Sequence, residues 1–211
     1  MLVLDCMTKE VVTVEPETTG YQALRVCRQR RIRHLPVMED NRLVGIISDR
    51  DLRDAAPPLG ASERAEVLQR MHVGEAMRRE VVTAHPLDPI EHAARDMSER
   101  SIGSLPVVSE GELVGILTAS DVMRALMRLV GADEPGSRVE LEIRDRPGSL
   151  AGIFAILSEL NVNVVSVLSS PGEESGKNST VLRLGVINAL PAIKALKAAG
   201  YNVLWPPEPE E

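Results

Sequence analysis

The segment Leu43-Val44-Gly45-Ile46-Ile47-Ser48-Asp49-Arg50-Asp51-Leu52 occurs a second time as Leu113-Val114-Gly115-Ile116-Leu117-Thr118-Ala119-Ser120-Asp121-Val122. The two copies lie 70 residues apart, so Asp51 is matched by Asp121. The same spacing aligns Leu35-Pro36-Val37 with Leu105-Pro106-Val107 without a gap. A repeat of this regularity predicts two copies of one structural unit, and two copies are too few for a solenoid. We therefore expect the copies to pack face to face as a pair.

Both repeats have the same predicted order of elements: an extended segment, a helix, two strands and a second helix. In the first repeat, Thr18 or Thr19 can cap a helix that ends near Arg31. Glu39-Asp40-Asn41 is a plausible hairpin turn between the strands. In the second repeat, Asp88-Pro89 predicts a helix start, with Asp88 as the cap and proline at the first helical position.

The pair Ser48 and Asp51 allows two compatible interpretations. A hydroxyl followed three residues later by an acid forms a capping box, which satisfies free backbone N–H groups at a helix start. Capping is the more common use of this pattern. A hydroxyl at a helix N-terminus also suits a phosphate, and a carboxylate one turn later can accept both hydroxyls of a ribose. The second copy repeats the pattern with Thr118 and Asp121.

Composition limits the class of protein. The chain has 211 residues with 44% hydrophobic and only 2% aromatic residues, which predicts a globular protein with an aliphatic core. Its formal charge of −7 argues against a general nucleic-acid binder, although Arg28, Arg30, Arg31, Arg33 and His34 form a local basic cluster.

Neither a targeting segment nor a metal site is expected. Cys6 and Cys27 do not form a CxxC pair, and we expect reduced thiols. The N-terminus has no basic region followed by an apolar run, and no apolar stretch is long enough to cross a bilayer. We expect a soluble cytoplasmic protein without nucleic-acid or membrane partners.

The repeated motif resembles the cystathionine β-synthase (CBS) domain, with one copy at 1–58 and the other at 66–130, and the tandem pair resembles a Bateman module. The resemblance implies a pseudo-symmetric pair with a regulatory site for adenosine-containing ligands in the cleft between the copies. It implies that Asp51 and Asp121 hold the ribose and that Ser48 and Thr118 lie near phosphate. The same resemblance places Thr13 and Thr83 beside the base, and Arg33 and His34 near phosphates.

The two copies differ just before the Leu-Pro-Val strand. Arg33-His34 in the first copy is replaced by Gly103-Ser104 in the second. Guanidinium groups pair with phosphate through charge-assisted bonds, whereas the hydroxyl of Ser104 offers one neutral hydrogen bond. We therefore predict two unequal nucleotide sites, with polyphosphates favouring the one near Arg33 and His34. The alternative is that Arg33 is only a solvated surface charge.

The repeat stops after about residue 130. The composition of 131–137 is typical of a linker, and 138–205 has the order β-α-β-β-α-β of a ferredoxin-like fold. The acidic, proline-rich stretch 206–211 is predicted to be a disordered tail.

This C-terminal segment resembles an ACT domain through Asp145-Arg146-Pro147-Gly148-Ser149-Leu150 and Asn161-Val162-Asn163-Val164. Such domains often bind amino acids at dimer interfaces, which implies a site at Asp145, Gly148, Leu150 and Asn163. A domain that serves only for dimerisation is an equally good interpretation, because the ferredoxin-like fold by itself implies no function.

Two CBS domains followed by an ACT domain resemble the acetoin-utilisation protein family. We predict a non-catalytic ligand sensor without a prosthetic group, which binds AMP, ADP, ATP or S-adenosylmethionine, forms a homodimer and modulates an unknown protein target. An enzyme is disfavoured because the sequence offers no convincing set of nucleophile, base and orienting residue. The alternatives are a structural dimerisation protein with empty clefts and an accessory subunit of a metabolic enzyme.

Overall fold

The structure is a computed structural model that describes residues 1–56 and 60–207. The chain divides into two compact units, Met1–Ala125 and Leu126–Glu211, which we call unit 1 and unit 2. The last two residues of the predicted range 1–58 and the last four of the predicted tail 206–211 lie outside the described residues. The other predicted boundaries, 66–130, 131–137 and 138–205, stay predictions.

Unit 1 contains the two repeats, and each has the predicted order of elements. The elements of the first repeat are a 3-10 turn (Val3–Asp5), α1 (Gly20–Arg30), β1 (His34–Glu39), β2 (Arg42–Ser48) and α2 (Asp49–Asp54). Helix α3 (Ala61–Arg70) lies between the repeats. The second repeat begins with α4 (Val73–Ala76), which corresponds to the 3-10 turn of the first. It continues with α5 (Ile90–Glu99), β3 (Ser104–Ser109), β4 (Glu112–Thr118) and α6 (Ala119–Leu129), whose last four residues belong to unit 2.

The local signals act largely as the sequence predicts. Thr19 caps α1, since its side chain accepts a hydrogen bond from the Gln22 backbone N–H. The β1–β2 hairpin turns at Asp40 and Asn41, whose φ angles of 47° and 60° are both positive. Two-residue hairpin turns of type I′ require this conformation, and asparagine tolerates it better than most residues.

One predicted helix start is wrong by one residue. Helix α5 begins at Ile90 with Pro89 in the N-cap position, not with Asp88 as the cap. The Asp88 carboxylate instead accepts a hydrogen bond from the His85 backbone N–H at 2.7 Å. Asp88 therefore closes the turn that precedes the helix.

The repeats exchange their N-terminal segments. The start of the chain binds the second repeat, where Thr8 exchanges backbone hydrogen bonds with Ile116. The corresponding segment of the second repeat binds the first, where Arg78 pairs in the same way with Ile46. These segments pack closely on β2 and β4. A side chain added at Gly45 would meet Met77, and one added at Gly115 would meet Met7.

Each repeat has its own aliphatic core, and each core includes an exchanged residue. The first core contains Leu35, Leu52 and the incoming Val73. The second contains Leu105, Leu117 and the incoming Val3. Cys27 is buried in the first core, where burial raises the pKa of its thiol to about 11. This thiol therefore stays protonated at neutral pH.

Unit 2 has the ferredoxin-like order that the sequence predicts. Its elements are β5 (Ser137–Arg144), α7 (Ser149–Glu159), β6 (Val164–Pro171), β7 (Lys177–Leu184), α8 (Leu190–Ala198) and β8 (Asn202–Trp205). The antiparallel sheet has the order β6-β7-β5-β8, which leaves β6 and β8 at its edges. Buried residues of β5 and β7 form the core with Ile153, Leu157 and Leu196 from the two helices.

Candidate functional site

Unit 1 contains a cleft of about 530 Å³ that includes the start of helix α2, and we call it the Asp51 cleft. Its wall from the first repeat consists of Arg33, His34 and the stretch from Ile46 to Asp51. Its wall from the second repeat consists of Arg78, Glu80, Val81, Val82, Met97, Ser98, Ser101, Ile102, Gly103 and Ser104. The cleft therefore depends on both repeats.

A second cleft of about 410 Å³ includes the start of helix α6, and we call it the Asp121 cleft. The second repeat contributes Gly103, Ile116, Thr118, Ala119, Ser120, Asp121 and Arg124. The first repeat contributes Thr8, Glu10, Val11, Val12, Arg31, Ile32, Arg33 and His34. The two clefts are thus pseudo-symmetric, with segments at equivalent repeat positions in equivalent walls.

The predicted capping boxes are confirmed at both helix starts. In the Asp51 cleft, Oδ2 of Asp51 accepts hydrogen bonds from the Ser48 backbone N–H at 2.9 Å and the Ser48 hydroxyl at 2.6 Å. In the Asp121 cleft, Oδ2 of Asp121 accepts the same two bonds from Thr118, also at 2.9 and 2.6 Å. Because capping uses one carboxylate oxygen, the other oxygen of each aspartate remains for a further partner.

That second oxygen has different surroundings in the two clefts. Oδ1 of Asp121 accepts a hydrogen bond from Nη1 of Arg124 at 2.9 Å. Within 1–56 and 60–207, the cation beside Oδ1 of Asp51 is the more distant Nη2 of Arg78, at 3.9 Å. The Asp51 side chain is 27% exposed and the Asp121 side chain 11%. The carboxylate of Asp51 is therefore the more accessible of the two.

Arg33 and His34 line both clefts instead of only one. His34 also lies against Gly103, where an added Cβ would come within 3.0 Å of its Nε2. Burial lowers the pKa of His34, partly opposed by the negative charges of Asp49 and Asp51. The imidazole is therefore neutral at neutral pH, when it offers one donor and one acceptor.

The two clefts differ in the balance of positive and negative side chains that line them. The Asp121 cleft has three arginines, Arg31, Arg33 and Arg124, against the carboxylates of Glu10 and Asp121. In the Asp51 cleft, three arginines face three carboxylates, those of Asp49, Asp51 and Glu80. Arg31 and Arg124 were missed as site residues. The basic cluster before β1 pointed to Arg31, whereas Arg124 has only its place one turn after Asp121 as a signal.

Of the remaining predicted residues in unit 1, Ser104 lies in the Asp51 cleft. Thr13 lines a third, open cavity together with Lys9, Asp40 and Asn41. Val12 lines the Asp121 cleft and Val82 the Asp51 cleft, one residue before Thr13 and Thr83 respectively. The structure thus brings the valines, and not the threonines, to the described cleft walls.

The predicted amino-acid site in unit 2 is an exposed turn. Gly148 precedes α7 with a φ of 82°, a left-handed conformation that favours glycine. Asp145 accepts a hydrogen bond from Nδ2 of Asn178 at 3.1 Å, and Leu150 packs against the core. The backbone carbonyl of Asn163 accepts a hydrogen bond from the Gly185 N–H at 2.8 Å. These contacts give Asp145, Gly148 and Leu150 structural roles, whereas the bond at Asn163 involves only its backbone.

Within 1–56 and 60–207, no helix is both long and apolar enough to span a membrane. The same part of the chain contains no group of three or more His, Cys, Asp or Glu residues arranged to hold a metal ion.

Comparison with known families identifies the chain. The CBS domain model matches residues 3–57 and 73–128, which together are more than half of the chain. The ACT domain model matches residues 137–201. The chain therefore belongs to the CBS domain family, as a tandem CBS pair followed by an ACT domain. The predicted fold class is confirmed.

Many solved structures resemble the CBS pair, and the following three are examples. The CBS domain pair of protein MJ0100, in complex with 5′-methylthioadenosine and S-adenosyl-L-methionine, has 30% identity and a TM-score of 0.53, covering 64% of this chain and 98% of that one. An acetoin utilization protein (AcuB) from Vibrio cholerae has 30% identity and a TM-score of 0.54, covering 63% and 95%. CBSX2 in complex with AMP has 32% identity and a TM-score of 0.51, covering 60% and 96%.

The AcuB similarity confirms the predicted resemblance to acetoin-utilisation proteins. Several curated relatives are longer enzymes, and the chain spans about a quarter of their length.

Proposed function

We propose that this protein is a non-catalytic regulatory sensor that binds adenosine-containing ligands in the Asp51 and Asp121 clefts. The observation that carries the proposal is the repeated aspartate at the start of α2 and α6. In both cases the capping box uses Oδ2 of the carboxylate. Oδ1 of Asp51 is left for a ligand in the cleft, whereas Oδ1 of Asp121 is held by Arg124, which a ligand has to displace. A carboxylate in this position can accept the two hydroxyls of a ribose.

Within each cleft the proposed roles follow from chemistry. Asp51 and Asp121 hold the ribose, and the hydroxyls of Ser48 and Thr118 lie at helix starts that suit phosphate. Apolar walls formed by Val81 and Val82 in one cleft, and by Val11 and Val12 in the other, suit the flat face of adenine. Arg33 and His34 line both clefts and are proposed to contact phosphates. Thr13 and Thr83 are left out of the proposed site.

The architecture also suits regulation. Each cleft has walls from both repeats, so a ligand that contacts both walls depends on how the repeats are arranged. A ligand shifts such an arrangement only as far as its affinities for the two states differ. We propose that this shift modulates a protein target in the cytoplasm, and the AcuB neighbour makes acetoin metabolism a candidate pathway.

The choice of ligand rests on the neighbours. One similar CBS pair was solved with S-adenosyl-L-methionine and 5′-methylthioadenosine, and another with AMP. Titration calorimetry of the full chain with ATP, ADP, AMP and S-adenosylmethionine is therefore the direct test. We expect saturable binding of at least one of them, with two unequal sites per chain. Absence of binding by all four would favour a structural dimerisation protein.

An amino acid at the Asp145–Leu150 turn is the second proposed ligand. The same preparation should be screened by thermal shift against the twenty amino acids at millimolar concentration. Stabilisation by one of them would support the site at Gly148 and Asn163. If none stabilises the protein, dimerisation is the better role for unit 2.

We further propose a homodimer in which unit 2 contributes through its edge strand β6. Val167 and Leu168 on this strand are 36% and 45% exposed, and an apolar edge strand readily pairs with another chain. Light scattering of the full chain should give the mass of a dimer at micromolar concentration. Leu168→Lys should shift the mass toward the monomer, whereas Ile187→Lys, at a position that is 89% exposed outside the strands, should not. A monomeric wild-type protein would contradict the proposal.

A further inference from the structure

Arg124 forms an ion pair with the carboxylate of Asp121 inside the Asp121 cleft. Its Nη1 atom donates to Oδ1 of Asp121 at 2.9 Å, while Thr118 occupies Oδ2 of the same carboxylate. Both oxygens that a ribose diol would approach are therefore engaged. Arg124 itself lines the cleft, and its side chain is 66% exposed and so has room to move.

In the part of the chain that the structure describes, the equivalent carboxylate of Asp51 has no arginine at hydrogen-bond distance. The residue that corresponds to Arg124 is Asp54, whose carboxylate cannot donate a hydrogen bond to Asp51. The nearest cation, Nη2 of Arg78, lies 3.9 Å from Oδ1 of Asp51, which is beyond hydrogen-bond distance. Oδ1 of Asp51 is therefore open to a diol, and Oδ1 of Asp121 is closed by Arg124.

We propose that Arg124 makes the Asp121 cleft selective for phosphorylated adenosine ligands over uncharged nucleosides, an inference that rests on the proposed function. A diol that binds Asp121 displaces the guanidinium of Arg124, which then loses its anionic partner. A phosphate in the same cleft supplies a new one, because Arg124 lines this cleft together with Arg31 and Arg33. A nucleoside has no phosphate that could pair with the displaced guanidinium. Its binding therefore costs the whole ion pair between Arg124 and Asp121.

The size of the effect follows from the exposure of the pair. The side chain of Arg124 is 66% exposed and that of Asp121 11%, so solvent reaches the pair from one side. Exposed ion pairs change an equilibrium by about 1.5- to 5-fold, and Arg124 should weaken nucleoside binding by an amount near the upper end, about fivefold. A charge-assisted bond from the freed guanidinium to phosphate should strengthen nucleotide binding by about tenfold. The preference of this cleft for AMP over adenosine is therefore the most sensitive quantity to measure.

The test compares adenosine and AMP by calorimetry in an Asp51→Asn background, which weakens the other cleft. Arg124→Gln in this background should strengthen adenosine binding by about two- to fivefold and weaken AMP binding by about tenfold. The ratio of the two affinities should thus fall by at least about tenfold. Arg128→Gln, on the same helix but outside the described lining of both clefts, is the matched control and should leave the ratio unchanged.

The results of these titrations distinguish a failure of the role of Arg124 from a failure of the proposed function. An unchanged ratio, or weaker adenosine binding by Arg124→Gln, would overturn the role of Arg124 while the wild type still binds nucleotide. Loss of all binding in the Asp51→Asn background would overturn it as well, because the Asp121 cleft would then bind neither compound. Failure of the wild type to bind adenosine or AMP would instead contradict the proposed function itself.

Discussion

Asp51→Asn and Asp121→Asn should each weaken adenosine-ligand binding at one cleft by roughly ten- to a hundredfold, and the double variant should show no binding in the measurable range. The reason is that hydrogen bonds to a charged group contribute about 1.5–3 kcal/mol. Asparagine keeps one oxygen, which can still accept the capping bond from Ser48 or Thr118. Its amide nitrogen cannot accept a ribose hydroxyl. Calorimetry with AMP and ATP measures both the affinity and the number of sites.

The control has to separate the loss of a ligand contact from the loss of a helix cap. Asp88 also accepts a backbone hydrogen bond through its carboxylate, from the His85 N–H at 2.7 Å. It does not belong to the described lining of either cleft. Asp88→Asn should therefore leave binding unchanged, while its melting temperature reports any cost of the substitution. If the double variant at Asp51 and Asp121 binds as well as the wild type, the two acids are caps and nothing more.

The starts of α2 and α6 show which features of the candidate site a sequence pattern can predict. The spacing of Ser48 and Asp51 was sufficient to predict a capping box, because a cap is a local contact within one turn. The same spacing could not reveal that Oδ1 of Asp121 is occupied by Arg124 whereas Oδ1 of Asp51 is not. That difference arises because the second repeat has Arg124 where the first has Asp54. Whether the side chain of Arg124 reaches the carboxylate of Asp121 is a question that only the structure answers. The sequence therefore predicted the capping that the two clefts share and not this difference at Oδ1.

The exchange of segments marks a second limit of sequence analysis. An internal repeat shows which residues are equivalent, but it does not show which copy a segment packs against. Val3 and Val73 are equivalent, both are fully buried, and each lies in the core of the other repeat. The same crossing brings Thr8, Glu10, Val11 and Val12 of the first repeat into the cleft of Asp121.

The exchange predicts that a substitution at the start of the chain will loosen the second repeat. Val3→Ala removes apolar volume from a site with 0% exposure, and should lower the free energy of unfolding of the second repeat by about 2–3 kcal/mol. Hydrogen exchange should rise in β3 and β4 and remain unchanged in β1 and β2. Val73→Ala should give the reverse pattern. Leu4→Ala, at a neighbouring position that is 38% exposed, should change stability by no more than about 0.5 kcal/mol.

Ligand should partly reverse the effect of Val3→Ala, because the exchanged segment continues directly into the wall of the Asp121 cleft at Thr8, Glu10, Val11 and Val12. A ligand present at a hundred times its Kd stabilises the folded state by about 2.7 kcal/mol, which is similar to the expected loss. Addition of AMP to Val3→Ala should therefore restore slow exchange in β3 and β4. In the matched Val3→Ala, Asp121→Asn variant the same AMP concentration should restore much less. Faster exchange in β1 and β2 of Val3→Ala, with β3 and β4 unaffected, would contradict the exchange of segments.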